Sequence, residues 1–217
     1  MPRKLLISVL CLALGVCALF AQNQKVTWGA RLSMDVSFPT GSENPYKVGS
    51  GFSAGAVADI TLPRNFFFEP GLMFYYTAMG SRNLITFDDN YFYEGSAKIY
   101  GIRIPLAVGY NFYAGNEWQL SVSTGPYLNV NLSAQQKLDP NLSAPVPVPD
   151  KKISLFNHGW KRVDAGWHIS LSTTFAGSYY VGITGGVNFT PLASYGNHDK
   201  KIKIYRNTVA ITLGYNF

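Results

Sequence analysis

The stretch KVTWGARLSMDVSF, Lys25–Phe38, decides how this chain folds. Alternate residues Val26, Trp28, Ala30, Leu32, Met34, Val36 and Phe38 are apolar, and those between them are Thr27, Gly29, Arg31, Ser33, Asp35 and Ser37. A period of two over that length predicts a β-strand with one greasy and one hydrophilic face. Which face points inward separates two classes of protein. A soluble barrel hides the apolar side, whereas a membrane barrel turns it to lipid.

The alternation recurs over 52–62, 66–78, 100–112, 118–132, 163–175, 179–189 and 209–217, giving eight strands in all. Pro63-Arg64-Asn65, Tyr113–Asn116 and Ala176-Gly177-Ser178 read as tight turns. The connections Pro39–Val48, Met79–Tyr93, Ser133–Trp160 and Thr190–Tyr205 are long. Short turns at one end and long loops at the other is the plan of an outer-membrane barrel with both termini at the short-turn, periplasmic end. Pro70, Pro105 and Pro126 fall inside strands, where each removes a ladder donor.

Soluble eight-stranded barrels also exist, so the count alone does not choose between the classes. Charge placement does. Over the eight stretches the apolar parity contains no Asp, Glu, Lys or Arg. The opposite parity is mostly Gly, Ser, Thr, Asn, Gln and Tyr, with a few charges at Arg31, Asp35, Asp59, Glu69, Arg103 and Asp164. A water-facing surface carries about 25–35% charged residues, so this face is too sparsely charged to be a soluble exterior and suits a narrow lumen. Trp28, Phe66, Phe68, Tyr110, Phe112, Trp118, Tyr179, Tyr215 and Phe217 gather near the short-turn strand ends, with Tyr76, Tyr100 and Trp160 near the other, as interfacial girdles do. The predicted fold is all-β: an eight-stranded antiparallel up-and-down transmembrane β-barrel.

The remaining sequence sets the compartment. Pro2-Arg3-Lys4 followed by the apolar run Leu5–Phe20 and Ala21-Gln22 reads as a secretory signal peptide over residues 1–21, leaving 22–217 as the barrel domain. Both cysteines, Cys11 and Cys17, lie in that leader, so a cleaved chain has no thiol for disulfides, thiolate metal sites or nucleophilic catalysis. Only 14% of residues are charged, against about 25% in ordinary soluble domains. Lys and Arg number 18 against 12 Asp and Glu. In an exported barrel whose charges sit between strands, that excess points to anionic lipid rather than nucleic acid.

The segments IRIPLAVGYNF (Ile102–Phe112), STGPYLNVNLS (Ser123–Ser133), RVDAGWHIS (Arg162–Ser170) and the terminal ITLGYNF resemble the PorT-like outer-membrane β-barrels of Bacteroidetes, which are Gram-negative. The resemblance covers nearly all of 22–217. It implies an outer-membrane location, recognition of Phe217 by the barrel-assembly machinery, and a possible association with secretion-system proteins. Many members have no assigned activity.

Candidate sites follow from charge. Arg31, Asp59, Glu69 and Arg103 lie on neighbouring strands and face inward, which predicts a salt-bridged plug in the lumen; a gated small-solute channel is the alternative. Arg82, Lys161, Arg162, Lys200, Lys201, Lys203 and Arg206 cluster at the outer strand ends and predict a rim that contacts lipopolysaccharide phosphates. Asp164, His168 and Ser170 share one strand face, but same-face residues stand about 6.6–7 Å apart and do not converge as a triad. The expectation is therefore a non-enzymatic barrel with no catalytic, cofactor or metal site, a lipid A-modifying enzyme being the remaining alternative. The Pro-rich stretch Asp139–Lys152 reads as an extended loop open to surface contacts.

Overall fold

The computed structural model describes residues 25–41, 44–85, 92–114, 117–139, 152–195 and 202–217. The expected signal peptide lies outside them. Eight long strands form the barrel wall: β1 (Val26–Thr40), β2 (Tyr46–Thr61), β3 (Phe66–Ile85), β4 (Phe92–Ala114), β5 (Trp118–Asp139), β7 (Val163–Phe175), β8 (Tyr179–Asn188) and β10 (Ile202–Asn216). Two short strands, β6 (Lys152–Ser154) and β9 (Ala193–Tyr195), add to the long-loop end by pairing with β5 and β10. Each wall strand pairs antiparallel with the next, and β1 pairs with β10 from Gly29↔Asn216 to Thr40↔Tyr205. That last pairing closes the sheet.

The apolar parity faces outward over most of the lower wall, with Ile60, 4% exposed, covered by its neighbours. Leu32, Met34, Leu72, Ile169, Ile183, Ile211 and Leu213 are each more than half exposed, while Arg31, Ser33, Asp35 and Ser37 are buried inside. The aromatic residues meet at the short-turn end in edge contacts: Phe66–Tyr110 at 5.1 Å, Tyr179–Tyr215 at 5.5 Å and Tyr215–Phe217 at 5.4 Å. Ala176 (φ 48°) and Gly177 (φ 70°) turn β7 into β8 through two left-handed residues, closed by Ser178 N–H donating to the Phe175 carbonyl. That is the turn whose twist matches paired strands.

A barrel of eight strands is tightly curved, and its backbone crowds inward. A Cβ at Gly125 would run into the carbonyl of Leu106 on the neighbouring strand, so only glycine fits there. Pro70, Pro105 and Pro126 leave the register intact. The β3–β4 and β4–β5 ladders omit two pairs beside them and resume in phase at Met73↔Arg103 and Val108↔Thr124.

The wall is taller than the alternation predicts. β8 has 10 residues, close to the 9–11 that cross a bilayer. β3, β4 and β5 have 20, 23 and 22, so segments read as loops, Met79–Ile85, Phe92–Tyr93 and Ser133–Asp139, continue the sheet beyond the hydrocarbon. Their dyad pattern is weak because both faces leave lipid there.

An arginine placed outward at mid-wall tests the orientation directly. Ile211, on β10, is 57% exposed. Ile211→Arg is expected to cost about 2–4 kcal/mol in urea unfolding from lipid vesicles, while Thr212→Val, inside, changes little by comparison.

Candidate functional site

The lumen is filled in three layers. Nearest the short-turn end, Arg31 from β1 and Glu69 from β3 form an ion pair, Nη2 to Oε2 at 3.3 Å. Arg31 Nη1 also donates to Asn216 Oδ1 at 2.8 Å, and the guanidinium lies 3.9 Å from the centre of the Tyr180 ring. Asp59 lines a small cavity with Arg31 and Glu69 but makes no ion pair among the described residues. Arg103 sits a layer higher and donates its Nε to Asn129 Oδ1 at 2.9 Å, with its guanidinium near the rings of Tyr127 and Tyr75. The four residues expected to form one plug therefore divide between two levels. Same-face charges on adjacent strands share a direction but not a height, because tilted strands are staggered along the barrel axis.

The second charged layer was not anticipated. Asp164, fully buried on β7, accepts at Oδ1 from Asn129 and Asn188, both at 2.6 Å, and at Oδ2 from Asn131 at 2.9 Å. Arg206 of β10, also fully buried, pairs with Asp164 Oδ2 at 3.6 Å. Its Nη2 donates to the Tyr75 hydroxyl at 3.4 Å, and Tyr75 in turn donates to Asn131. Tyr127 donates to Asn188 Oδ1 at 2.5 Å. This layer joins side chains from β3, β4, β5, β7, β8 and β10.

Arg206 is thus no rim residue. β10 starts at Ile202, and the inward parity of Thr208, Ala210 and Thr212 continues upward through Arg206 and Ile204. The signal lay in extending the alternation two dyads towards the N-terminus. Of the other rim positions, Lys161, Arg162 and Lys203 are exposed, and the Arg162 guanidinium lies 4.3 Å from the Phe156 ring centre. Lys200 and Lys201 lie outside the described residues, as does the side chain of Arg82. Lys161 N–H donates to the Leu192 carbonyl and Leu192 N–H to that of Ile204. Lys161 and Lys203 therefore stand within roughly two strand spacings, about 10 Å.

Above the Asp164–Arg206 layer lies an apolar cap. Tyr46, Tyr75, Met79, Ile99, Leu155, Trp160, Leu192 and Ile204 are packed together as one buried cluster. Trp160 and Tyr46 meet edge to face, centroids 5.4 Å apart. Trp160, expected in the interfacial girdle, is instead 4% exposed at the centre of the cap. The segment Leu155–Trp160 turns back over the barrel mouth through a 3-10 turn ending at Gly159 (φ 81°), pinned by Ser194 N–H donating to the Gly159 carbonyl.

Asp164, His168 and Ser170 do not converge. Asp164 is taken up by the asparagines and Arg206, whereas the Ser170 hydroxyl accepts from Thr184 at 2.9 Å. His168 borders the central cavity, its ring 6.1 Å from that of Tyr127. Among the described residues no three His, Cys, Asp or Glu side chains gather as a metal site. Phe217 is exposed at the barrel seam, its N–H donating to the Trp28 carbonyl at 2.8 Å.

Asp164→Asn leaves Arg206 buried without a counter-charge and is expected to destabilise by about 3–5 kcal/mol, read as a fall in urea midpoint. Asp164→Asn combined with Arg206→Met recovers part of that loss, because the buried pair is more costly halved than removed.

The chain is similar to several solved structures. Ail, the attachment invasion locus protein of Yersinia pestis, is 11% identical with a TM-score of 0.41, over 89% of this chain and 99% of Ail. The N-terminal β-barrel domain of Pseudomonas aeruginosa OprF is 11% identical with a TM-score of 0.31, over 87% and 97%. The translocator domain of the autotransporter NalP from Neisseria meningitidis is 8% identical with a TM-score of 0.31, over 99% and 96%. No curated protein sequence matches the chain. The family described as outer membrane protein beta-barrel domain matches residues 20–190. With four-fifths of its length inside that match and a closed barrel clad in apolar side chains, the chain belongs to the outer membrane protein beta-barrel domain family and is an outer-membrane protein.

Proposed function

We propose that this barrel is a closed, non-enzymatic membrane anchor that holds a raised sheet and a basic collar at the cell surface. The observation that carries this reading is the double seal at the outer mouth, the apolar cap lying directly over the buried Asp164–Arg206 layer. An ion crossing that path meets a dry cluster and then charges already committed to each other, which is an electrostatic and steric barrier. The channel alternative needs a continuous wet path, and the enzyme alternative needs a free nucleophile and base.

The surface role draws on the part of the sheet that rises past the bilayer. β3, β4 and β5 extend together, with β6 pairing beside them at Gln135↔Ser154 to Lys137↔Lys152. Lys98, Lys161, Arg162 and Lys203 are exposed around this end, and no exposed carboxylate accompanies them among the described side chains. Such a collar suits the phosphates of outer-leaflet lipopolysaccharide. The chain enters this membrane after cleavage following Ala21 and delivery to the barrel-assembly machinery through Phe217. Likeness to PorT-like barrels supports a secretion-accessory role, in which the raised sheet docks a secretion-system protein.

Planar-bilayer recording tests the closed anchor. The purified barrel is expected to give no discrete conductance steps, and Trp160→Ala with Leu192→Ala to introduce them. Steps in the wild-type protein would replace the anchor with a channel. Co-purification from native envelopes addresses the accessory role, with secretion-machinery proteins expected beside the barrel.

A further inference from the structure

Between the two charged layers the lumen is not full. A cavity of about 100 Å³ remains there, equal to roughly six to ten water-sized volumes and so room for a small molecule only. Its walls carry two unlike charges that do not meet. Asp35 of β1 is 3% exposed, its Oδ1 has no hydrogen-bond partner, and no cation pairs with it among the described residues. Arg103 of β4 borders the same cavity with Nε given to Asn129, and no carboxylate among the described residues lies within pairing distance of its two terminal nitrogens. β2 and β3 stand between their strands, and the two groups share the lining of this one cavity.

A buried carboxylate without a partner is unfavourable unless something supplies one. A lone cation would satisfy Asp35 and leave Arg103 unmatched, and a lone anion would do the reverse. A molecule with an ammonium group at one end and a carboxylate at the other answers both while adding no net charge to the lumen. Ser53, Ser123 and Thr208 add hydroxyl-bearing side chains to the lining of the same cavity.

The two ends of the cavity differ. Towards the cell surface it is bordered by Arg103 and Tyr127, which belong to the Asp164–Arg206 layer, with the apolar cap beyond. Towards the periplasm, the Arg31–Glu69 pair and Tyr180 border both this cavity and the smaller polar one at the short-turn end, lined by Asp59, Gln119 and Asn216. One ion pair and one ring are far easier to move than a packed cap.

We propose that this cavity binds a small zwitterion of the amino-acid type, reached from the periplasm, with its ammonium on Asp35 and its carboxylate on Arg103. Equilibrium dialysis of the folded, detergent-solubilised protein against radiolabelled glycine tests it. Saturable binding at one glycine per barrel is expected, with methylamine and acetate each at least tenfold weaker competitors. Asp35→Asn is nearly isosteric and removes an unmatched charge, so it keeps the fold, checked by heat-modifiable gel mobility, and weakens glycine at least tenfold. Arg103→Gln does likewise. Glu69→Gln, which loosens the lower closure, is expected to speed glycine association several-fold. No saturable glycine binding to the wild-type protein, or equal binding to Asp35→Asn, overturns the site and leaves a water-filled cavity. An association rate unchanged in Glu69→Gln overturns periplasmic access. Conductance of the wild-type barrel bears on the closed anchor alone, so the two readings fail separately.

Discussion

Hydrocarbon offers nothing to an unpaired N–H or C=O, and everything in this molecule is arranged around that fact. A sheet in lipid must have no edge, so β10 returns to β1 and pairs with it along most of its length. Closure with eight strands then fixes the radius, and the radius limits what the interior can hold. Glycines such as Gly125 occur where the curved wall brings backbone against backbone. The larger inward side chains, Tyr75, Tyr127, Arg103 and Arg206, are stacked at one level, where the cation–ring distances of 4.9–5.4 Å show them sharing the cross-section.

Filling such a lumen with polar groups poses its own problem, since each group needs partners in a space that holds little water. The Asp164 layer answers by clustering amides around a carboxylate. Three asparagines from two strands donate to Asp164, and the carbonyl oxygens of the same amides accept from Arg103, Tyr75 and Tyr127. An asparagine is suited to this relay because it carries donor and acceptor on one short, rigid plane. The layer also fixes alignment. A one-residue slip between β5 and β7 would point Asn129 and Asn131 into lipid and strand Asp164, so the network makes the observed register much better than its neighbours.

The strand count, the outward face and the location of the turns were legible because lipid imposes a period of two on both faces at once. Arg31 and Glu69 were legible as inward charges for the same reason. What the sequence hides is height. Arg103 and Arg31 share a face, yet strand tilt puts them in different layers, and a linear pattern carries no tilt. Arg206 was misassigned because the apolar alternation fades above Val209, where β10 continues without a lipid-facing side. Trp160 misled for a related reason: an aromatic residue near a strand end is usual in the interfacial belt, and only the fold of Leu155–His158 over the mouth puts it inside. Asn129, Asn131 and Asn188 looked like ordinary small interior residues, since their significance depends on three strands meeting around one carboxylate.

The fading pattern at the outer end has a single physical origin. Within the bilayer an apolar side chain gains nothing by turning inward, because lipid is as apolar as any core. Past the headgroups water surrounds the sheet, and the ordinary hydrophobic effect resumes. The preferred direction of apolar residues must therefore reverse at the membrane boundary, and the strands achieve this in two ways. β4 and β10 change composition while keeping their phase: Ile102 and Ile104 lie on the outward parity, whereas Ile99 and Ala97 are buried inward, and Ile204 is buried below exposed Lys203. β5 keeps its apolar residues on even positions and instead changes what even means. The ladder with β4 jumps from Gly101↔Asn131 to Tyr100↔Ser133, leaving Leu132 as an extra residue, 52% exposed, with Ala134 buried just above it. β2 does the same between Gly49 and Tyr46, so that even-numbered Phe52 faces lipid and even-numbered Tyr46 packs into the cap. A one-residue bulge swaps the faces of every residue beyond it. These irregularities are where the chain passes from one solvent to another, and they let a single sheet serve as lipid-facing wall below and as the shell of a water-soluble core above.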